Sequence, residues 1–346
     1  MKTIPLGATD ISVSQLCLGS MTWGTQTSEA GGHAQIDAAL DAGINFIDTA
    51  EAYPVNPMNK ENAGKTEAII GTWLAARGRR DAVVIATKCA GAGNYIRDGE
   101  AISSKTIREA VEGSLKRMQT DYIDLYQLHW PNRGSYMFRQ NWTYDPSGQD
   151  KSATIAHMED VLGALKALVA EGKIRHFGLS NESAWGTAQW LKVAERMDAP
   201  RVETMQNEYS LLCRLYDTDM AELSHNEQVT LLAFSPLAAG FLTGKYQGGA
   251  VPDASRMSIN AGMGGRMSDR VLGVTQAYLD IAAKHGLHPV HMALAWCCQR
   301  PFPVSPIFGA TDMEQLQIIL DGKDLVLDAE IMTELDAAHR ANPMPY

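Results

Sequence analysis

Asp121-Tyr122-Ile123-Asp124-Leu125-Tyr126-Gln127-Leu128-His129-Trp130 is the run on which the fold turns. Tyr122 to Leu128 is short for a helix and rich in branched and aromatic side chains, the composition of a strand buried on both faces. The run closes on an ionisable residue, His129. Upstream, Ile107, Val111, Leu115 and Met118 recur at helical spacing. Downstream, Ile155, Met158, Val161, Leu162, Leu165, Leu168 and Val169 do the same and stop at Gly172, a residue suited to ending a helix.

Working outward, the same alternation fills the chain. The other apolar runs are Gln15 to Gly19, Asn45 to Asp48, Ala82 to Thr87, Ile174 to Leu179, Arg201 to Gln206, Val229 to Phe234 and Val304 to Phe308. Strand and helix repeated eight times can form an open doubly wound sheet or a closed (β/α)8 barrel, and eight units favour the α/β barrel. A polar opening from Lys2 to Val13, with a turn at Gly7-Ala8-Thr9-Asp10, predicts an N-terminal β-hairpin. Two additional helices are expected around Leu272 to His285 and Val290 to Arg300, and a last one over Asp328 to His339. Two stretches exceed ordinary loop length, Pro131 to Ala153 and Thr243 to Asp269, as loops that bind or cover a ligand often do. No linker or low-complexity segment divides the 346 residues, so residues 1–346 are read as one barrel domain.

Composition narrows the function classes. The sequence is 45% hydrophobic and 20% charged, which is globular, and its net charge of -10 disfavours the basic surface that nucleic acid requires. No apolar run reaches the roughly 18 residues of a membrane span, and the N-terminus lacks the apolar core of a signal peptide, so a cytoplasmic protein is expected. The five cysteines (17, 89, 213, 297 and 298) are odd in number and lack a CxxC pair, so they read as reduced thiols rather than a disulfide or zinc framework.

Barrel enzymes place their chemistry at the carboxyl ends of the strands. Asp48, Lys88, His129, Asn181 and Gln206 all stand at or just beyond such ends, and Tyr53 follows Asp48 closely. A phenol is a poor acid at neutral pH, but a nearby cation can stabilise its anion and a carboxylate can hold that cation. Tyr53, Lys88 and Asp48 suit those roles, and His129 can orient a substrate oxygen. A metal-hydrolase reading of Asp48 and His129 is disfavoured, since no HxH follows the first strand and Lys88 would repel a divalent ion. No metal is expected.

With these motifs in place, the chain resembles the aldo-keto reductases, and among them the branch that includes bacterial Tas-like proteins and potassium-channel β-subunits. The resemblance rests on Leu18-Gly19-Ser20-Met21-Thr22-Trp23-Gly24, on Gly43-Ile44-Asn45-Phe46-Ile47-Asp48-Thr49-Ala50 leading to Tyr53, on Ala86-Thr87-Lys88 and on the run ending at His129-Trp130. It continues through Gly172-Lys173-Ile174-Arg175, Gly178-Leu179-Ser180-Asn181, Gln206-Asn207, Ser235-Pro236-Leu237 and Leu242-Thr243-Gly244-Lys245-Tyr246. It implies that Tyr53 is the general acid, that Lys88 and Asp48 lower its pKa, and that His129 orients a carbonyl.

The resemblance also implies a nicotinamide dinucleotide across the barrel mouth, NADPH with NADH as the alternative. Ser180, Asn181 and Gln206 would hold its carboxamide, Phe234 would stack on the ring, and Ser235, Pro236, Leu237, Ala239, Lys245 and Arg256 would close over the pyrophosphate, with Trp23 alongside. At the adenine end Gly309, Thr311 and Gln315 match in outline, although a Lys near Gly309 and an Arg near Gln315 that many members carry are missing. No G-x-G-x-x-G fingerprint offers a Rossmann alternative: Gly91-Ala92-Gly93 lacks the third glycine. Trp23, Trp130, Trp142 and Tyr144 are expected to ring a pocket for a small carbonyl substrate, partly covered by Pro54 to Gly64, with Trp142 and Tyr144 equally suited to anchoring their own loop. A binding-only regulatory subunit is the competing function. The oligomeric state is left open.

Overall fold

The computed structural model describes residues 1–346. Two short antiparallel strands, β1 (Thr3–Pro5) and β2 (Ser12–Ser14), form the expected hairpin, in register from Thr3 opposite Ser14 to Pro5 opposite Ser12. Gly7 in its turn has φ 62° and lies so close to Glu203 that a Cβ would come within 2.5 Å of it. The turn is bonded to the barrel: the Gly7 amide donates to Thr230 Oγ1 (2.9 Å) and the Ala8 amide to Glu203 Oε2 (2.8 Å). The hairpin thereby plugs the amino-terminal end of the barrel.

Eight parallel strands follow: β3 (Cys17–Gly19), β4 (Phe46–Asp48), β5 (Val84–Cys89), β6 (Ile123–Leu128), β7 (Ile174–Ser180), β8 (Val202–Glu208), β9 (Thr230–Phe234) and β10 (Val304–Phe308). They pair in sequence order, and β10 closes on β3. The helices are α1 (Glu29–Asp41), α2 (Lys65–Arg77), α3 (Ser104–Met118), α4 (Lys151–Ala170), α5 (Ala184–Met197), α6 (Asp219–Glu227), α7 (Arg256–Ile259), α8 (Val271–Lys284), α9 (Pro289–Cys298), α10 (Met313–Asp321) and α11 (Ala329–Ala341). Helices α8 and α9 are the two additional ones between β9 and β10.

Two expectations shift in detail. The loop read as Pro131 to Ala153 ends earlier, because Asp150 accepts from the Ala153 amide and starts α4 at Lys151. The long stretch from Thr243 to Asp269 is not without structure, since Ser255 caps the short helix α7 inside it.

Side-chain alternation builds two distinct floors inside the barrel. Cys17, Phe46, Ala86, Leu125, Leu232 and Ile307 of the barrel strands pack with Leu6 and Val13 of the hairpin in a small apolar cluster. Two residues further along the same strands, on the same face, stand Asp48, Lys88 and Gln127. The larger apolar cluster fills the space between barrel and helices. No helix is long and apolar enough to cross a membrane.

Candidate active site

Lys88 is completely buried, and its ammonium is fully used. Nζ donates to Asp48 Oδ2 (2.7 Å), to the Thr49 carbonyl (2.7 Å) and to Tyr53 Oη (3.5 Å). The other oxygen of Asp48 accepts from Gln206 Nε2 (2.8 Å), a bond across the barrel. Burial alone would push the Lys88 ammonium toward neutrality, but Asp48 and then Tyr53 reverse this and its pKa lies above the ordinary value. The cation is therefore secured by the carboxylate beneath it.

Tyr53 sits half-buried above this pair, and the edge of its ring meets the His129 ring at 5.7 Å. Because its oxygen accepts from Lys88, its own O–H is free to point elsewhere. The expected direction of its pKa is corrected here. Burial raises it, Lys88 lowers it by less, Asp48 raises it again, and the net shift is upward. His129 is held well below its ordinary pKa by burial and then by Lys88, so its ring is neutral, and its Nδ1 has no partner. The structure thus brings Asp48, Tyr53, Lys88 and His129 together from β4, β5 and β6.

Beside them, Asn181 stands at φ 56°, a left-handed conformation that Asn tolerates better than most residues. Its Nδ2 donates to the His129 carbonyl (2.9 Å) and to Ser180 Oγ (3.0 Å), while its buried Oδ1 has no partner. Ser180 Oγ in turn donates to the Gln206 carbonyl (2.8 Å). Of the three residues expected at a carboxamide, Asn181 alone therefore shows an unused buried acceptor; the Ser180 hydroxyl and the Gln206 amide nitrogen are engaged internally.

Phe234 ends β9, half-exposed, directly before a turn in which Ser235, Ala238, Ala239 and Gly240 all take positive φ. Its Ala238 and Gly240 amides bond back to the Ser235 and Leu237 carbonyls (2.7 and 2.9 Å), which leaves the Leu237 and Ala239 amides without a backbone acceptor, donors that an anion can take. Pro236 and Leu237 lie within it. Arg256, on α7, is half-buried without a carboxylate partner, and burial followed by Arg266 pushes its pKa down. Lys245 is exposed near Gly240. Gly309 and Thr311 follow β10, where Gln315 donates to Thr311 Oγ1 (2.8 Å) and to the carboxylate of Asp312 (2.9 Å). An orphaned acceptor at Asn181, an anion-accepting turn and an unpaired guanidinium suit a group with an amide at one end and phosphates in the middle.

The expected aromatic ring around the mouth is only partly present. Trp23 is fully buried, donates from its indole to Gln35 Oε1 (2.8 Å) and packs against Gly32. Its side chain belongs to the barrel–helix core and forms no part of an aromatic wall at the mouth, a correction of that expectation. Trp142 is 64% exposed and encloses nothing. Tyr144 packs edge-on to Tyr136 (5.8 Å) and accepts from Gln149 (3.0 Å), so it anchors its own loop. Trp130 does adjoin the site: it tilts against His129 at 5.0 Å and donates to the Ala92 carbonyl (2.9 Å).

Sequence reasoning missed three buried carboxylates at the same rim. Glu51 pairs with Arg97, Glu182 with Arg133, and Glu208 with both Arg139 and Arg266. Each lies within a few residues of Asp48 or Tyr53, Asn181, or Gln206. The available signal was a glutamate at or within three residues of a strand end.

A family model described as the Aldo/keto reductase family matches residues 15–340. Protein tas of Escherichia coli (strain K12) is 43% identical over 342 residues, 97% of this chain and 96% of its own. A probable voltage-gated potassium channel subunit beta of Oryza sativa subsp. japonica is 30% identical over 98% of this chain and 96% of its own. An NADH-specific methylglyoxal reductase of Escherichia coli (strain K12) is 29% identical over 98% and 99%.

Proposed function

Because the chain belongs to the aldo/keto reductase family, we propose that it reduces aldehydes or ketones to alcohols with NADPH, Tyr53 supplying the proton. The family fixes the coarser statement: this is an NAD(P)H-dependent oxidoreductase acting on a small molecule. The observation that carries the finer one is the threefold use of Lys88. An ammonium that donates to Asp48, Thr49 and Tyr53 leaves the phenolic proton as the one available to a carbonyl oxygen.

The residues fit the dinucleotide at three points: Asn181 Oδ1 for the carboxamide, Phe234 for the ring, and the turn from Ser235 to Gly240 with Arg256 for the phosphates. When bound, the reduced nicotinamide supplies hydride to the carbonyl carbon. The protein's part is the rest. A neutral His129 can donate a hydrogen bond to the carbonyl oxygen without carrying charge into the site, and Tyr53 then gives up its proton to that oxygen. Lys88 stabilises the phenolate left behind, and Asp48 keeps the ammonium in place as that charge forms.

For the 2′-phosphate that distinguishes NADPH from NADH, Arg256 and Lys245 support NADPH, while Asp312 close to Thr311 and Gln315 opposes it. The NADH-specific relative makes the comparison of both cofactors part of the test. The experiment is loss of reduced-nicotinamide absorbance with a panel of aldehydes and ketones, wild type beside Tyr53→Phe. A drop of at least about 100-fold in the variant is expected, the scale of a lost general acid. Equal, background-level rates together with tight cofactor binding would replace catalysis by a binding-only role, as the channel-subunit relative suggests.

A further inference from the structure

Glu51 and Arg97 lie beside the reacting groups, and their side chains make no hydrogen bond to those of Asp48, Tyr53, Lys88 or His129. Glu51 is 3% exposed and stands two residues before Tyr53. Its Oε1 accepts from the Ala90 amide (2.7 Å) and from Arg97 Nη2 (2.6 Å), and its Oε2 from Arg97 Nη1 (2.8 Å). Arg97 Nη2 also donates to the Ala90 carbonyl (3.1 Å). Ala90 comes two residues after Lys88. One bidentate pair thus ties the backbone that leads into Tyr53 to the backbone that leaves Lys88.

Two further bonds join the same segments. The Glu51 amide donates to the Lys88 carbonyl (3.4 Å), and the Tyr95 hydroxyl donates to the Ala52 carbonyl. These ties are needed because the sheet stops short. Strand β4 has three residues, and its register with β5 ends at Asp48 opposite Ala86; past it only the bonds from the Thr49 amide to the Ala86 carbonyl (2.8 Å) and from the Glu51 amide to the Lys88 carbonyl continue the pairing. Lys88 is held in register with β6, whereas Tyr53 lies beyond the last of these bonds, so the sheet alone does not fix how far the phenol stands from the ammonium.

We propose that the Glu51–Arg97 pair is a positioning device that sets the separation of Tyr53 Oη from Lys88 Nζ, 3.5 Å in this structure, and so the efficiency of proton donation. The proposal rests on the role of Tyr53 given above. A purely stabilising role accounts for the pair poorly, since a buried ion pair contributes little to stability over well-packed apolar side chains of the same volume. What an apolar pair cannot supply is a planar fork that fixes two backbones at once.

Arg97→Lys separates the two roles, because it keeps the charge and removes the fork; Glu51→Gln is the second variant. Expected for Arg97→Lys is a fall in kcat of about 10- to 100-fold, the cost of misplacing a reacting group by about 1 Å, with KM for the carbonyl and the cofactor Kd nearly unchanged. Crystal structures of wild type and variant give the readout that does not depend on turnover. The Tyr53 Oη to Lys88 Nζ distance should differ by about 0.5 Å or more, the tolerance of a productive site. Turnover within twofold of wild type, a loss merely proportional to the unfolded fraction in both variants, or an unchanged distance overturns the proposal. If wild type reduces no carbonyl at all, the reductase reading fails, and the crystallographic distance alone decides this one.

Discussion

At the scale of single residues, the site is a chain of charge support: Gln206 to Asp48, Asp48 to Lys88, Lys88 to Tyr53. Replacing Lys88 with Met should lower kcat by roughly 10²- to 10⁴-fold while leaving the cofactor Kd largely intact, because the lost interaction forms with the phenolate in the transition state. Steady-state kinetics beside a fluorescence titration of reduced cofactor checks this. With Tyr53 held above its ordinary pKa, the acid stays protonated throughout the neutral range, so kcat for reduction should show no basic limb between about pH 7 and 9. His129 gives a stability prediction of definite sign. Its folded pKa lies well below the ordinary value, so as pH falls through about 6.5 the unfolded chain gains a proton that the folded one refuses, and stability declines. Thermal melts from pH 7.5 to 5.5 should fall less steeply for His129→Asn than for wild type. Trp142→Ala, at an exposed side chain, should leave kcat/KM within about twofold, as surface substitutions usually do.

At the scale of elements, close helix approach is purchased with small residues. A Cβ on Gly71 of α2 would fall 2.2 Å from the Arg117 carbonyl of α3, a clash with backbone that no rotamer relieves. Gly71→Ala should therefore cost about 1–3 kcal/mol in denaturant unfolding while activity per folded molecule persists. The strands were readable from sequence to within about two residues because a parallel barrel strand is a short, largely apolar run, and a polar residue near its end faces the same way as the residue two places earlier. Asp48 follows Phe46 and Lys88 follows Ala86 in this way, while His129 follows Gln127. Trp23 has no such guide, since the side-chain direction of a residue in a loop has no period to reveal it; the slot left by Gly32 on α1 decides the matter. Glu51, Glu182 and Glu208 escaped notice for a related reason. Their arginines lie 46, 49, and 58 and 69 residues away, so the pairing exists only after the strands are set side by side.

At the scale of the whole molecule, Glu208 links the rim to the segment that crosses it. Arg266, from the stretch between β9 and α8, donates to Glu208 Oε1 (2.7 Å) and reaches Ser235 Oγ (3.3 Å), while Arg139 comes to the same carboxylate from the loop after β6. Glu208→Gln should loosen both and raise the rate of cofactor dissociation by about tenfold or more, as breaking a buried charge pair commonly does to off-rates. Stopped-flow displacement of bound cofactor measures it, and an unaltered off-rate would separate Glu208 from cofactor retention. The bond from Gln206 to Asp48 closes over a sequence separation of 158 residues. Contacts of such range form late when a chain refolds, because the entropy of so large a loop must be met first. On dilution from denaturant, helical dichroism should therefore return before turnover does, and the lag between the two would time the joining of the barrel's two halves.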